Sequence, residues 1–252
     1  MSWDLIKSIQ KETDLRLILP FGLNLQLGDV INVGRDGDFT LEGDCCSLLG
    51  VKPGPIRPPQ NGTDIDRQSG QGTTWAFHAA GKASTLFPDL PSANAGFDIK
   101  FERANGWVLA LTGRRVSALE QVNQFRQPIL DAYHRKVWLP DWALVTSIAT
   151  TEKMTLLASS DANTQVAIGL GGNFAAGGTL ADLNAQASIL ASNKQLLKSI
   201  TTTTTTTFCA AIKVKHGWFQ SDDIGTLAKA AVSREHEKAS DADFWEPAGQ
   251  DW

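Results

Sequence analysis

The chain is poor in the residues that build metal sites and covalent frameworks. It has three cysteines, two methionines, four histidines and a single tyrosine among 252 residues. Cys45 and Cys46 are adjacent and Cys209 stands alone, an odd count that excludes a disulfide framework and fits a reducing compartment. The histidines (His78, His134, His216, His236) are far apart and none has a C-x-x-C partner, so no metal spacing exists and no metal or cofactor is expected. There is no basic excess. The formal net charge is -4, which argues against a nucleic-acid partner. No apolar run approaches the ~20 residues of a spanning helix. The start, Met1-Ser-Trp-Asp-Leu-Ile-Lys, lacks the basic and apolar regions of a signal peptide, which leads to the expectation of a cytoplasmic protein.

What is there is ordinary globular composition, 42% hydrophobic and 20% charged, enough for one large domain or two small ones. The charge is uneven. Asp222–Trp252 holds eight acidic and three basic residues, whereas the remainder is close to neutral. Such a tail is either a solubilising end or a segment that covers something.

The pattern predicts a short amphipathic helix over 2–13, with Trp3, Leu5, Ile6 and Ile9 on one face, then short strands over 15–19, 23–33 and 39–41. The stretch 51–72, with Pro53, Pro55, Pro58 and Pro59, reads as a long surface loop. Thr73–Phe77 begins a strand. Phe97–Arg103 alternates and turns at Asn105-Gly106 into 107–111, which reads as a hairpin. Ser117 and Glu120 form a capping-box pattern for a helix over 116–135, which Pro128 kinks or splits in two. Ala143–Leu157 reads as one strand with a polar middle. The threonine run 201–207 reads as a loop feeding a strand over 208–215, and 224–238 as a terminal helix. Helices interrupt the strands instead of alternating with them. The expected fold is therefore α+β, a twisted and mostly antiparallel sheet with surrounding helices.

One stretch is unusual. Between Ala162 and Asn193 the only charge is Asp182. Val166, Ile168 and Leu170 share one face of a first arm. Leu183, Ala185, Ala187 and Ile189 share one face of a second, across a small, glycine-rich linker that carries Phe174 and leads to Leu180. The opposite faces hold Gln165, Ala167, Gly169, Asn184, Gln186 and Ser188, where a soluble hairpin would normally place Lys, Glu or Arg. Each arm is close to the ~9–11 residues a tilted strand needs to cross a bilayer. Two readings stay open: a hairpin packed on the protein's own core, and one that later meets lipid.

The flanking residues bear on this choice. Trp142–Leu156 (Trp-Ala-Leu-Val-Thr-Ser-Ile-Ala-Thr-Thr-Glu-Lys-Met-Thr-Leu) resembles the gasdermin pore-forming-domain strand that reads roughly V-V-T-E-V-x-x-T-x-x-E-V-x-V. A variable, uncharged hairpin follows that strand in the family, as one follows here. Thr204–Val214 resembles the next strand, T-I-P-x-G-x-x-L-A-F-R-V, with the threonine run standing in for I-P-x-G. The length resembles that of small microbial gasdermins with a short C-terminal inhibitory segment.

The resemblance implies a gasdermin N-domain-like fold and a pore-forming effector of cell death and antiviral defence, not an enzyme. It implies a pore-forming body over 1–221 and an autoinhibitory segment over 222–252. A protease would remove that segment, after which the body would form a homo-oligomer on membrane lipid and refold two hairpin regions, near 73–111 and 156–191, into a β-barrel. The protein would be cytoplasmic when inactive and at the inner membrane when active. On this reading Val166, Ile168, Leu170, Phe174, Leu180, Leu183, Ala185, Ala187 and Ile189 insert. Ile224, Leu227, Phe244, Trp245 and Trp252 make inhibitory contacts. Arg234 and Lys238 are candidate cleavage points for a trypsin-like protease. The reading from another class is a soluble β-rich binding or scaffold protein. His134 near Asp131 as a general base, and lipid on Cys45-Cys46, are further candidates.

Overall fold

The computed structural model describes residues 3–13, 16–34, 37–70, 72–78, 95–169, 180, 188–192, 194, 196–215 and 223–226. The strands are β1 (Arg16–Leu17), β2 (Asp29–Val33), β3 (Phe39–Asp44), β4 (Ile56–Asn61), β5 (Ile65–Gln68), β6 (Thr73–His78), β7 (Gly96–Phe101) and β8 (Gly106–Thr112). They continue as β9 (Arg115–Leu119), β10 (Trp142–Thr151), β11 (Lys153–Ser159), β12 (Thr164–Gly169), β13 (Ser188–Ser192), β14 (Leu197–Thr201), β15 (Thr205–Lys215) and β16 (Asp223–Thr226). The helices are α1 (Trp3–Thr13), α2 (Cys45–Leu49) and α3 (Arg126–His134), the last preceded by a 3-10 turn over Val122–Phe125. The fold is α+β and mostly antiparallel, as the sequence predicts.

The chain divides into two compact units. One holds Met1–Glu12, Gly62–Arg114 and Thr151–Thr205; the other holds Thr13–Asn61, Arg115–Thr150 and Thr206–Trp252. The first contains two four-stranded sheets, β14-β11-β8-β5 and β13-β12-β7-β6. They pack face to face, because strict alternation sends Phe97, Ile99, Phe101, Val166 and Ile168 from one sheet and Val108, Ala110 and Leu157 from the other into a single cluster. On the opposite face of the β8/β11 sheet, the cross-strand pairs Leu109–Leu156 and Leu111–Met154 are also buried. Helix α1 lies on that face: its Leu5, Ile6 and Ile9 are buried, and Ser8 Oγ accepts from Trp107 Nε1 at 2.9 Å.

The second unit is built on the sheet β1-β15-β10-β2-β3, with β16 beside β15 and β9-β4 continuing from β10. Its strands also alternate. Ala143, Val145, Cys209 and Ala211 enter one cluster with Ile31 and Phe39, while Leu144, Ile212 and Val214 enter another with α3 residues Ile129 and Ala132. The buried Arg16 is accommodated: Nη2 donates to the Gly37 carbonyl at 3.1 Å and the guanidinium stacks 5.3 Å from the Phe39 ring centre.

The three sheets share one rule. The segments β4-β5-β6, β7-β8-β9, β10-β11-β12 and β13-β14-β15 each visit all three sheets, and in each sheet the four segments keep the same neighbour order. Strands β4 to β15 thus form four runs, each broken twice.

That rule explains several departures from the sequence reading. The residues around Asn105-Gly106 do not close a hairpin: β7 pairs β12 and β6, and β8 pairs β11 and β5. The chain turns a corner between sheets, because Phe101 fills its inside. A Cβ at Gly106 would lie 2.7 Å from the Phe101 ring. Likewise 143–157 is two strands, parted at Glu152. The proline-rich stretch is not a loop but the outer run β4-β5. Prolines are tolerated at a sheet edge, and Pro58 and Pro59 fall where the register slips between Arg57 and Gln60. Val116–Leu119 belongs to strand β9, claimed by pairing with β10 and β4, and Ser117 accepts through its carbonyl from Ser147 Oγ at 3.1 Å. Pro128 sits in the first turn of α3, where no backbone N–H is needed. Asp223–Thr226 is strand β16, not the start of a helix; 227–238 lies outside the described residues.

Gly96 shows how tightly β7 and β12 approach. A Cβ there would collide with the Ile168 carbonyl oxygen and come within 2.9 Å of His78 Cε1. Gly96→Val is expected to destabilise the protein by about 3 kcal/mol or more, read as a fall in the denaturant midpoint. Gly70→Ala, where a methyl meets open space, is the matched control and is expected to leave that midpoint within error.

Candidate membrane-inserting region

The first arm of the uncharged stretch is strand β12; of the predicted second arm, 183–187 lies outside the described residues, and the strand that pairs with β12 begins at Ser188. β12 and β13 pair antiparallel, Val166 opposite Ser192 and Ile168 opposite Ile189, with one register shift at Ala167/Ile168. β7 binds the other edge of β12, so this strand is central in its sheet. Val166 and Ile168 are fully buried, and so is Leu180 in the same cluster. Trp75 and Phe77 from β6 meet Phe97 edge-on, at 5.8 and 5.4 Å between ring centres. In this conformation the core reading of Val166, Ile168 and Leu180 is what the packing realises.

The opposite face of β12 is not wet either. Gln165 is exposed, but Ala167 is 3% exposed and Gly169 is buried. Ala167 stands opposite Asp98 of β7 and Ala191 of β13. Small, uncharged residues there are therefore matched to a covered surface.

Leu170, Phe174, Leu183, Ala185 and Ala187 lie outside the described residues, and of Ile189 only the strand position is described. Ile224 lies in β16 opposite Val214. Leu227, Arg234, Lys238, Phe244, Trp245 and Trp252 also lie outside the described residues.

Sequence reasoning missed a buried polar pair on this sheet. Asp98, 1% exposed, meets His78 Nδ1 through Oδ2 at 3.1 Å, while its Oδ1 has no hydrogen-bond partner. The alternation gives the face of Asp98 but not its burial. Asp98 shares with Lys100 and Glu102 the face opposite Phe97, Ile99 and Phe101, and the last two of the three pair at 3.1 Å. Run β7 thus has one wholly apolar and one ionisable face.

The other candidates separate. His134 is exposed near the end of α3, and the Asp131 carboxylate accepts from Gln127 Nε2 at 2.8 Å. Among the described residues no three His, Cys, Asp or Glu gather to hold a metal, and no helix is long and apolar enough to cross a membrane. Cys45 is buried against the sheet and Cys209 is buried within it, where desolvation pushes its thiol up to about 12. Cys46 is exposed.

No protein-family profile and no curated protein matches the chain. Among solved structures it is similar to a bacterial gasdermin from Bradyrhizobium tropiciagri, at 13% identity and a TM-score of 0.35, over 90% of this chain and 91% of that one.

Two measurements follow. Ile168→Asp places a carboxylate in a sealed apolar cluster. It is expected to cost about 4 kcal/mol or more and to lower Tm accordingly, whereas Gln165→Lys should stay within about 0.5 kcal/mol. Thiol titration of the native protein at neutral pH should modify Cys46 alone, with Cys45 and Cys209 reacting only after denaturation.

Proposed function

We propose that this chain is a pore-forming effector of the gasdermin type, held inactive by its C-terminal segment over 222–252. The observation that carries the reading is the common neighbour order of the four runs. Three sheets whose strands already share neighbours become one long antiparallel sheet when the corners open, with no strand exchanged. Backbone hydrogen bonds are then kept, which is the condition for any structure that crosses hydrocarbon.

The residues fit that use. Run β11-β12, from Lys153 to Gly169, carries only Asp161 between its terminal lysine and its end, and it exceeds the ~9–11 residues a tilted membrane strand requires. Run β7-β8 offers an apolar face to lipid and the face of Asp98, Lys100 and Glu102 to a water-filled lumen. In both sheets of the first unit the outer strands differ: β5 and β6 on one side, β13 and β14 on the other. A second copy can add edge to edge in one direction, and repetition closes a ring. The sequence resemblance at 142–156 and 204–214 points the same way. Opening the corners exposes the cluster around Phe97 and Ile168, a cost recovered only in an apolar solvent. Lipid is therefore the partner that drives the change.

Removal of the acidic tail by a protease, at Arg234 or Lys238 for a trypsin-like enzyme, is the proposed trigger. The protein would move from cytoplasm to inner membrane in cell death or defence. The second reading, a soluble β-rich binding protein, is favoured by the full burial of Val166 and Ile168 in the closed form.

Dye release from liposomes separates them. The full chain is expected to be inert, and a chain ending at Ser233 is expected to release dye and to sediment as a large oligomer. A truncated chain that stays monomeric and releases nothing refutes the pore reading.

A further inference from the structure

Among the described residues Arg16 and Arg114 are buried, each with its Nε sealed from water, but the bonding of the two side chains differs. Arg16 is bonded and stacked, as described above. Arg114, at the β8-β9 joint, is 9% exposed, yet among the described residues it forms no ion pair and its Nε is a buried donor with no partner. Burial alone lowers its pKa, with no carboxylate acting on it. A guanidinium cannot shed its charge at neutral pH, and an uncompensated buried cation is costly.

The surroundings are shaped to the group. Gly62 N–H donates to the Arg114 carbonyl at 2.8 Å, fixing the β-run beside it. A Cβ at Gly62 would lie 2.6 Å from Arg114 Nε and 3.1 Å from Cζ, so the guanidinium rests on bare glycine backbone. Two acidic residues flank Gly113. Asp64 Oδ1 accepts the Gly113 N–H at 3.0 Å, and Glu152 lies against the glycine, where a Cβ would come within 2.6 Å of its Cγ. Gly113 holds φ at +63°, which favours glycine and sets where the Arg114 side chain leaves the backbone.

The geometry points to an oxyanion site centred on Arg114, taking a phosphate group, either free or as a lipid headgroup. The planar guanidinium presents donors in the fork that a phosphate accepts bidentately. The site stands on contacts within the first unit and does not depend on the pore reading.

Thermal unfolding of the full chain in inorganic phosphate against chloride, at equal ionic strength, tests it. Tm should rise with phosphate and saturate, by several degrees once phosphate exceeds its Kd a hundredfold. The Arg114 Nε–H NMR resonance should shift along the same curve. Arg114→Met should abolish both responses. Gly62→Ala, which pushes a methyl into the guanidinium, should weaken phosphate at least tenfold in a folded protein, and it serves if the first variant does not fold. Identical behaviour in phosphate and chloride, or a phosphate response that survives both substitutions, overturns the site. Co-sedimentation with phosphatidylglycerol vesicles, against phosphatidylcholine alone, distinguishes the sources. Arg114-dependent binding to the anionic vesicles supports a headgroup, and a saturable phosphate response without it supports a free phosphate.

Discussion

Everything in the first unit depends on the apolar seam between its two sheets. Phe97, Ile99, Phe101, Val166 and Ile168 on one side and Val108, Ala110 and Leu157 on the other are all sealed from water. Each of these side chains except Ala110 contributes on the order of 1.5–3 kcal/mol by burial. The seam is also what makes the corners. Phe101 and Val108 belong to one cluster but to different strands of different sheets, so the chain between them has to bend. The bend at Asn105-Gly106 is the result, and the same necessity breaks the next run between Ser159 and Thr164.

The seam has a second property. It is made by faces of strands, not by their edges, so the hydrogen-bonded ladders take no part in it. Packing can be undone while β7 keeps β6 and β12, and β8 keeps β5 and β11. A protein that changes its solvent without changing its strand partners needs this separation between what is packed and what is paired. The proposed pore rests on that separation.

Much of the fold was legible in the alternation of side chains. The amphipathic α1, the strand β12 and the alternating β7 all follow from period. Corners were not legible, because Asn-Gly and charged breaks announce a turn without saying whether the chain returns to the same sheet. Nor was the run β4-β5, where proline reads as loop until an edge position makes it tolerable. Ser117 and Glu120 match a helix cap locally, yet pairing on both sides of β9 overrides that preference. The buried polar groups were invisible for a related reason. Nothing in the sequence tells Asp98 from Lys100, or Arg114 from Arg115; only the placement of neighbours does.

The doubled proline in β4 has a consequence for the molecule's handling in the cell. Over Pro58 and Pro59 the backbone offers carbonyls and no amide hydrogens. A foreign strand approaching that flank finds an incomplete ladder, so this edge of the second unit is poorly able to template aggregation. The two prolines thus blunt an edge that would otherwise accept any extended strand.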